Sequence, residues 1–496
     1  MHEIELKFQV PAGQRAALDR AVAGRMAPRR VRLQAAYFDT PQRALAQARL
    51  ALRVRREGRQ WVQTLKGATD DGMTRLEHDV PLGADAAGVP AADPARHAGT
   101  PVGERLQAAL GAAPGEPLAL QYRTDIVRRT RLQRGASGTV ELAYDAGSIT
   151  AGGSTLAVHE LEIELHGGSP LAVIEAARRW LPRFALWLDT RSKAERGDLL
   201  ARGETVAPPR TASPVRLAAG TGAAQALRLV LASCADQVLA NASQIASGDH
   251  TDEHVHQLRV GLRRLRSGLR LFAGTPVDAG LAQAAAVLFR RLSAARDRVV
   301  VEAAFEADLE AALQGAFEGA ELPGAAPRSS VPDSGETPAE VLRDPKSQAL
   351  LLDLLAALHT EAVDADDDET PLRARLAARL NRWQRRAALD AKRYRELDDA
   401  ARHRLRKRVK RLRYGLEFGA SLFKPRELRR PLAVLRALQE RLGAINDVVV
   451  ATAALQRTGG TDPRAWFALG WLAARRDLLI AQALPDLKAF ARLKRL

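Results

Sequence analysis

The hydrophobic period of this chain changes once, and the change falls at a proline-rich stretch. Up to about Gly203, apolar residues recur mainly at every second position, in short segments separated by turns, which is the pattern of half-buried strands. From about Ala218 onward the texture is Ala, Leu and Arg at a period near 3.6, as in Gln283 to Leu292 and Pro431 to Leu442, which is the pattern of amphipathic helices. Between them, Val206-Ala207-Pro208-Pro209-Arg210-Thr211-Ala212-Ser213-Pro214 carries three prolines, which withhold backbone donors and stop a helix. The expected division is a strand-rich unit over 1–203, a linker over 204–216 and a helical unit over 217–496. In a chain of 496 residues each unit is long enough to bury its own core. Two further irregular stretches, Gly319 to Pro338 and the acidic run Asp364 to Glu369, read as loops within the helical unit.

The strand-rich unit sorts charge onto one face. Glu3, Glu5 and Lys7 alternate with Ile4, Leu6, Phe8 and Val10. Arg53 and Arg55 alternate with Leu50, Leu52 and Val54, and Glu160, Glu162 and Glu164 with Leu161, Ile163 and Leu165. One such strand is ordinarily the wet face of a sheet. Three carboxylates at alternate positions, however, lie roughly 7 Å apart and repel, so cations are needed nearby. Arg53, Arg55 and Lys66 can supply them, carboxylates suit Mg²⁺ or Mn²⁺, and guanidinium groups suit phosphate. A closed barrel with acid on one inner wall and base on another would hold a metal-bound polyphosphate. Its apolar outer face would be covered by helices such as Pro170 to Leu181.

These residues resemble the CYTH superfamily of triphosphate tunnel metalloenzymes over about 1–203. The resemblance rests on Glu3-x-Glu5-x-Lys7, Tyr37-Phe38-Asp39-Thr40-Pro41, Leu52-Arg53-Val54-Arg55, Leu65-Lys66-Gly67, Arg75-x-Glu77, Glu141 with Asp145-x-Gly147, Glu160 to Leu165, and Ser192-Lys193-Ala194-Glu195-Arg196-Gly197. It implies an α+β unit built on an eight-stranded antiparallel β-barrel tunnel that cleaves a phosphoanhydride bond with Mg²⁺ or Mn²⁺. Glu3, Glu5, Glu162, Glu164 and Asp145 correspond to metal ligands, with Glu141, Glu77 and Glu160 as further candidates. Lys7, Arg53, Arg55, Lys66, Arg128 and Lys193 correspond to the phosphate-binding set, and Glu5, Lys7, Arg53, Arg55 and Lys193 are the expected catalytic residues. Charge would be drawn from the bridging oxygen while water attacks the terminal phosphorus in line. The bland reading of Lys193 and Arg196 is a solvated helix start.

The helical unit contains a duplication. His256-Gln257-Leu258-Arg259-Val260-Gly261-Leu262-Arg263-Arg264-Leu265-Arg266 aligns without gaps to His403-Arg404-Leu405-Arg406-Lys407-Arg408-Val409-Lys410-Arg411-Leu412-Arg413. Each copy is followed by what reads as an acidic turn, Ala295 to Val299 and Ile445 to Val449. On a helix, His256, Arg259, Arg263, Arg266 and Arg270 form one stripe, with Leu258, Leu262, Leu265 and Leu269 on another roughly 110° away. The second copy repeats this with His403, Arg406, Lys410 and Arg413 against Leu405, Val409, Leu412 and Leu416. One such stripe is ordinarily a solvated face, but two in identical register point to a shared ligand.

The duplicated motif resembles the CHAD domain over about 217–496. The resemblance implies an all-α domain of two pseudo-symmetric helical bundles, about 217–363 and 371–496, with a basic groove for long-chain polyphosphate. The matching positions are His256, Arg259, Arg263, Arg264, Arg266, His403, Arg406, Lys407, Lys410, Arg411 and Arg413. The first copy is less basic, because Val260 and Gly261 align with Lys407 and Arg408.

Composition bounds the alternatives. Lys and Arg number 75 against 58 Asp and Glu, a formal charge of +17 that points to polyanions. Aromatics are 4% of the chain, few for the stacking that single-stranded nucleic acid requires, so nucleic acid is a weak candidate. One cysteine, Cys234, excludes a disulfide framework or a Cys-rich zinc site. The charged N-terminus carries no signal pattern, and Ala349 to Leu358 is too short to span a bilayer, so the expectation is a cytoplasmic protein, free or at polyphosphate granules, with no membrane partner. The leading expectation is an inorganic triphosphatase that splits tripolyphosphate to pyrophosphate and phosphate, fused to a polyphosphate-binding domain. The alternatives are a granule-associated binding protein with an inactive or sensory tunnel, and a thiamine triphosphatase or adenylate cyclase.

Overall fold

The computed structural model describes residues 2–24, 29–69, 73–84, 88–274, 279–296, 309–312, 335–360, 370–458 and 463–496. Most of the expected loop at Gly319 to Pro338, the run Asp364 to Glu369, and Asp297 to Val299 lie outside these residues.

Alternation becomes geometry in eight long antiparallel strands: β1 His2–Gln9, β2 Arg29–Asp39, β3 Leu50–Glu57, β4 Gln60–Ala68, β5 Thr74–Gly83, β6 Ala119–Arg134, β7 Gly138–Ala151 and β8 Ser154–Gly168. They run in the order β5-β4-β3-β2-β6-β7-β8-β1, and β5 pairs back onto β1, so the sheet closes into a barrel. A two-residue strand, β9 Trp187–Leu188, adds outside β1. Because side chains alternate, closure turns every second residue inward. Register then decides which charges meet. Glu5 lies opposite Glu164, Lys7 opposite Glu162, and Gln9 opposite Glu160, while β7 sets Glu141 opposite Glu164 and Asp145 opposite Glu160.

The outward residues need cover. α4 (Leu171–Arg183) buries Val173, Ile174, Ala177 and Trp180 in the same core as Leu6, Phe8, Leu142, Leu161 and Ile163. Burying a side chain of Leu or Phe size contributes about 1.5–3 kcal/mol. On the opposite side, Val102 and Leu106 of α3 (Pro101–Gly111) share a smaller core with Leu50, Leu52 and Leu65. One end of the barrel is filled from within: α5 (Lys193–Ala201) packs on β6, β7 and β8, where Ala194 and Leu200 lie against Tyr37, Tyr122, Ile126, Ile149 and Val158. Tyr37 and Tyr122 stack with centroids 4.6 Å apart, and a Cβ on Gly197 would stand 2.4 Å from the Tyr122 ring. Only glycine lets α5 approach that closely.

The second unit is helical throughout its described elements: α6 Ala223–Ser247, α7 Asp252–Leu271, α8 Ala279–Arg296, α9 Pro338–Arg343, α10 Pro345–His359, α11 Leu372–Lys392, α12 Asp399–Phe418, α13 Pro425–Thr458 and α14 Pro463–Ala491. The duplicated helices α7 and α12 are both 20 residues long and pack against one another. Leu258, Leu262 and Leu265, like Leu405, Val409 and Leu412, are buried, so the apolar stripes face the core as their period requires. One expectation needs correcting. Ile445 to Val449 is not a turn but part of the long helix α13, since nothing in those residues breaks a helix.

The proline-rich stretch is strapped down rather than loose. Its amides and a carbonyl bond to the helical unit: Ala207 N donates to Gln244 Oε1 at 3.3 Å, Arg210 N to Asn241 Oδ1 at 3.2 Å, and Asn241 Nδ2 to the Arg210 carbonyl at 2.8 Å; just beyond it, Leu217 N donates to Ser421 Oγ at 2.7 Å. The two units also touch directly, through an Arg178–Asp353 ion pair of 2.6 Å and the packing of α10 on α4.

Candidate active site and cationic groove

The tunnel wall formed by β1, β7 and β8 is acidic and partly neutralised. Lys193, at the start of α5, places Nζ 2.7 Å from Asp145 and 2.9 Å from Glu162, and also pairs with Glu160. Arg128 forks onto Asp145 with two bonds of 2.7 Å and also reaches Glu162. Arg196 pairs with Glu160, and Lys7 with Glu5, which Arg75 also reaches at 3.2 Å. Burial opposes ionisation of Glu162, but Lys193 and Arg128 outweigh it and hold this carboxyl well below its usual range. For Glu5, Lys7 and Arg75 similarly overcome burial and bring it to about 2.

The rest of the acidic wall has too few cations. Burial raises Glu164, and Glu3 and Glu5 raise it further, to about 7. Glu3 is raised as well, by burial and by Glu5, although Lys66 stands 2.6 Å away. Like charges set opposite one another across strands are destabilising. Across the tunnel the imbalance reverses. Arg55 is pushed down by burial and by its neighbours Arg53 and Arg128, although it pairs with Glu57. Arg53 reaches the Tyr37 hydroxyl at 3.5 Å and Glu77 at 3.9 Å, and Lys66 reaches Glu77 at 3.2 Å. The tunnel thus has surplus acid at Glu3 and Glu164 and crowded base at Arg55, whereas Arg53 is buried but held charged by Tyr37, Glu77 and Glu3.

Whether these residues suit a divalent cation can be judged from the donors. Oxygens of Asp145, Glu160 and Glu162 lie within 4.8 Å of one another, a set that can hold a metal ion. In this conformation the Lys193 ammonium lies among all three. Surplus negative charge instead gathers at Glu3 and Glu164. Hard carboxylate oxygens and uncompensated repulsion both fit a cation such as Mg²⁺ or Mn²⁺.

Every tunnel residue expected from the sequence lies on the inner wall or on α5. Sequence reasoning undervalued Arg196, which is buried on Glu160 rather than solvated, named Arg75 only as a motif residue without a role, and gave none to Gln9. The signal for Arg196 was its position one turn after Lys193, behind a Ser192–Glu195 capping box.

In the helical unit the two cationic stripes face each other. Burial lowers Lys410 to about 6, helped by Arg263 from α7 and Arg406 from its own helix; Asp447 on α13 opposes the shift. Burial likewise lowers Arg411 to about 10, with Arg270 and Arg266 contributing from α7, and Lys407 is lowered by burial and by Arg266. Crowded cations that depress one another fit an anion between them. His403 is exposed and bonds Asn446 at 2.8 Å; Arg259 and Arg263 lie 5.2 and 5.4 Å from the Phe289 ring centroid. Arg413 bonds Gln439 at 2.8 Å and Glu417 at 2.9 Å, and His256 is half-buried on α7. Arg264 departs from expectation. It is buried, bonded to Gln237 and Ser233 at 3.0 Å each and directed at the Ser213 carbonyl, so it fastens the strap rather than lining the groove. Gly261, which aligns with Arg408, lets α6 approach: a Cβ there would stand 2.8 Å from Val238.

The chain thus joins a closed tunnel with mixed-charge walls to a helical unit with paired cationic helices. Family comparison finds the same two parts: residues 1–197 match the CYTH domain and residues 229–456 match the CHAD domain. It is 27% identical to the inorganic triphosphatase of Haemophilus influenzae over 169 residues, a match covering 33% of this chain and 44% of that protein. Among solved structures, the CHAD domain from the plant Ricinus communis is 28% identical, covers 58% of this chain and 98% of that chain, and has a TM-score of 0.46. A Hippeastrum protein described as having a dominant triphosphatase activity is 19% identical, covers 41% and 97%, and has a TM-score of 0.30. No described helix is long and apolar enough to cross a membrane.

Proposed function

We propose that the tunnel hydrolyses inorganic triphosphate with Mg²⁺ or Mn²⁺ and that the facing stripes of α7 and α12 bind long-chain polyphosphate. The observation that carries the tunnel reading is the separation of unbalanced charge: carboxyls raised at Glu3 and Glu164, and a guanidinium lowered at Arg55 across the tunnel. A metal-bound polyphosphate relieves both walls at once. Glu3, Glu5, Glu162 and Glu164 would hold the metal, which when bound withdraws charge from the phosphate oxygens. Arg53, Arg55 and Lys66 orient the chain, and Lys193, Arg128 and Lys7 stabilise charge that builds up as the anhydride breaks. The Tyr37–Tyr122 stack and α5 fill one end of the barrel, which favours a substrate made of phosphate alone over a nucleotide or a thiamine ester. Supporting the second part, Lys410, Lys407 and Arg411 are all depressed by burial and then by cations on α7 or on their own helix.

The test is phosphate release from tripolyphosphate with Mg²⁺ or Mn²⁺, beside thiamine triphosphate and ATP. Arg53→Ala should cost about 100-fold or more in kcat/KM. A Glu5→Ala, Arg53→Ala double variant with full activity would sink the tunnel assignment. DNA competing with polyphosphate at equal phosphate concentration would sink the groove assignment.

A further inference from the structure

The segment that carries Lys193 and Arg196 into the tunnel is held from the other side by the helical domain. It runs from β9 through Asp189, Thr190 and Arg191 to Ser192, the N-cap of α5. On its tunnel side, Asp189 N donates to the Lys7 carbonyl at 2.9 Å. Gln9 Nε2 reaches both Asp189, at 3.1 Å, and Glu160, at 3.4 Å. Asp189 is fully buried, and Arg191 closes onto its two oxygens at 2.9 Å each.

On its other side, three consecutive anchors come from the helical domain. Leu188 N donates to Gln348 Oε1 of α10 at 2.8 Å. Thr190 N donates to Ser243 Oγ of α6 at 2.9 Å, and Arg191 Nη1 donates to Gln244 Oε1 of α6 at 3.2 Å. Gln348, Ser243 and Gln244 are almost completely buried, so their polar groups were removed from water to make these bonds, an arrangement that is costly unless satisfied. Gln244 Nε2 also donates to the Asp249 carbonyl at 2.6 Å, beside the start of α7. Simple packing of two domains calls for apolar cover. Backbone amides at 188 and 190, received by buried side chains, fix the height and rotation of the segment instead.

We propose that Ser243, Gln244 and Gln348 are positioning residues for the tunnel, acting through Leu188–Arg191 to set the Lys193 and Arg196 cations against Glu160 and Glu162, so that the phosphate site is complete only with the helical domain docked. This rests on the tunnel being a phosphate site, and the experiment separates the two claims. In the full chain, Ser243→Ala with Gln244→Met, Lys193→Ala, and all three together are compared with Asp353→Asn, which breaks the Arg178 pair across the same interface without touching the segment.

Amide exchange of the peptide spanning 192–201 should quicken about fivefold or more in the Ser243/Gln244 variant, the worth of about one lost hydrogen bond, and stay unchanged in Asp353→Asn. Tripolyphosphate affinity by titration calorimetry should fall by a similar factor, and that loss should shrink in the Lys193→Ala background, where only Arg196 is left for the segment to position. Unchanged exchange at 192–201, or affinity losses that simply multiply, would overturn the inference while leaving the triphosphatase reading intact. If wild type neither binds nor cleaves tripolyphosphate, that reading fails and exchange alone decides the positioning role. Gln348→Met is the second variant, expected to act the same way.

Discussion

Neutralising Glu164 should stabilise the barrel at alkaline pH. Its carboxyl titrates near 4.5 when free and at about 7 in the tunnel, because it is buried beside Glu3 and Glu5. Between those values the native state keeps a proton that the unfolded chain gives up, so stability falls as pH rises through the window. Undiscounted, that separation corresponds to about 3 kcal/mol, and partial exposure reduces it to about 1–2 kcal/mol. Glu164→Gln cannot ionise. At pH 8 it should protect the amides of β8 about 5–30-fold better than wild type, and at pH 4 the two should be equal. Amide exchange suits this question because it reads the barrel separately from the helical domain. Added Mg²⁺ should invert the order at pH 8, since the charged carboxylate then gains a partner that glutamine cannot match. Equal or weaker β8 protection in the metal-free variant at pH 8 would refute the surplus of negative charge on which the metal-site reading depends.

Polyphosphate binding should weaken as pH rises above about 6, because free Lys410 loses its proton there and bound phosphate restores it. Lys410→Met should flatten that slope, measured by calorimetry at pH 6 and pH 8; an unchanged slope would clear Lys410 of the role. Gly197→Ala should cost about 1–3 kcal/mol and weaken tripolyphosphate binding, because the added methyl meets a Tyr122 ring held by its stack on Tyr37. A variant as stable as wild type would mean that α5 is free to shift.

Alternation made the inner wall legible. Glu3, Glu5 and Lys7, or Glu160, Glu162 and Glu164, can only share a strand face, and closure of the barrel leaves one place for buried charge. Register was not legible, because it depends on pairings across the whole barrel. Glu164 lies between Glu5 on one neighbouring strand and Glu141 on the other, and no local pattern states that. Nor did the sequence reveal that the proline-rich stretch is tied down, since its bonds go to Asn241 and Gln244, farther along the chain.

The strap also explains why two copies of one motif behave differently. Arg264 and Arg411 occupy the same position in the repeat, and aligned sequence gives them the same role. Yet Arg264 is drawn toward the Ser213 carbonyl and over the Phe418 ring, whereas Arg411 lies over Trp383, with Arg266 and Arg270 close enough to lower it. Among the described residues, the strap bonds Arg264 of α7 and not its counterpart on α12. The same asymmetry governs Gly261 and Arg408: α6 crowds the first against Val238, and the second pairs with Asp390 on α11. Of the two cationic helices, α7 therefore gives Arg264 on its buried edge to fastening the strap. The cations that crowd one another between the helices are thus Lys410 and Arg411 of α12 against Arg263, Arg266 and Arg270 of α7, with Arg264 withdrawn from the set.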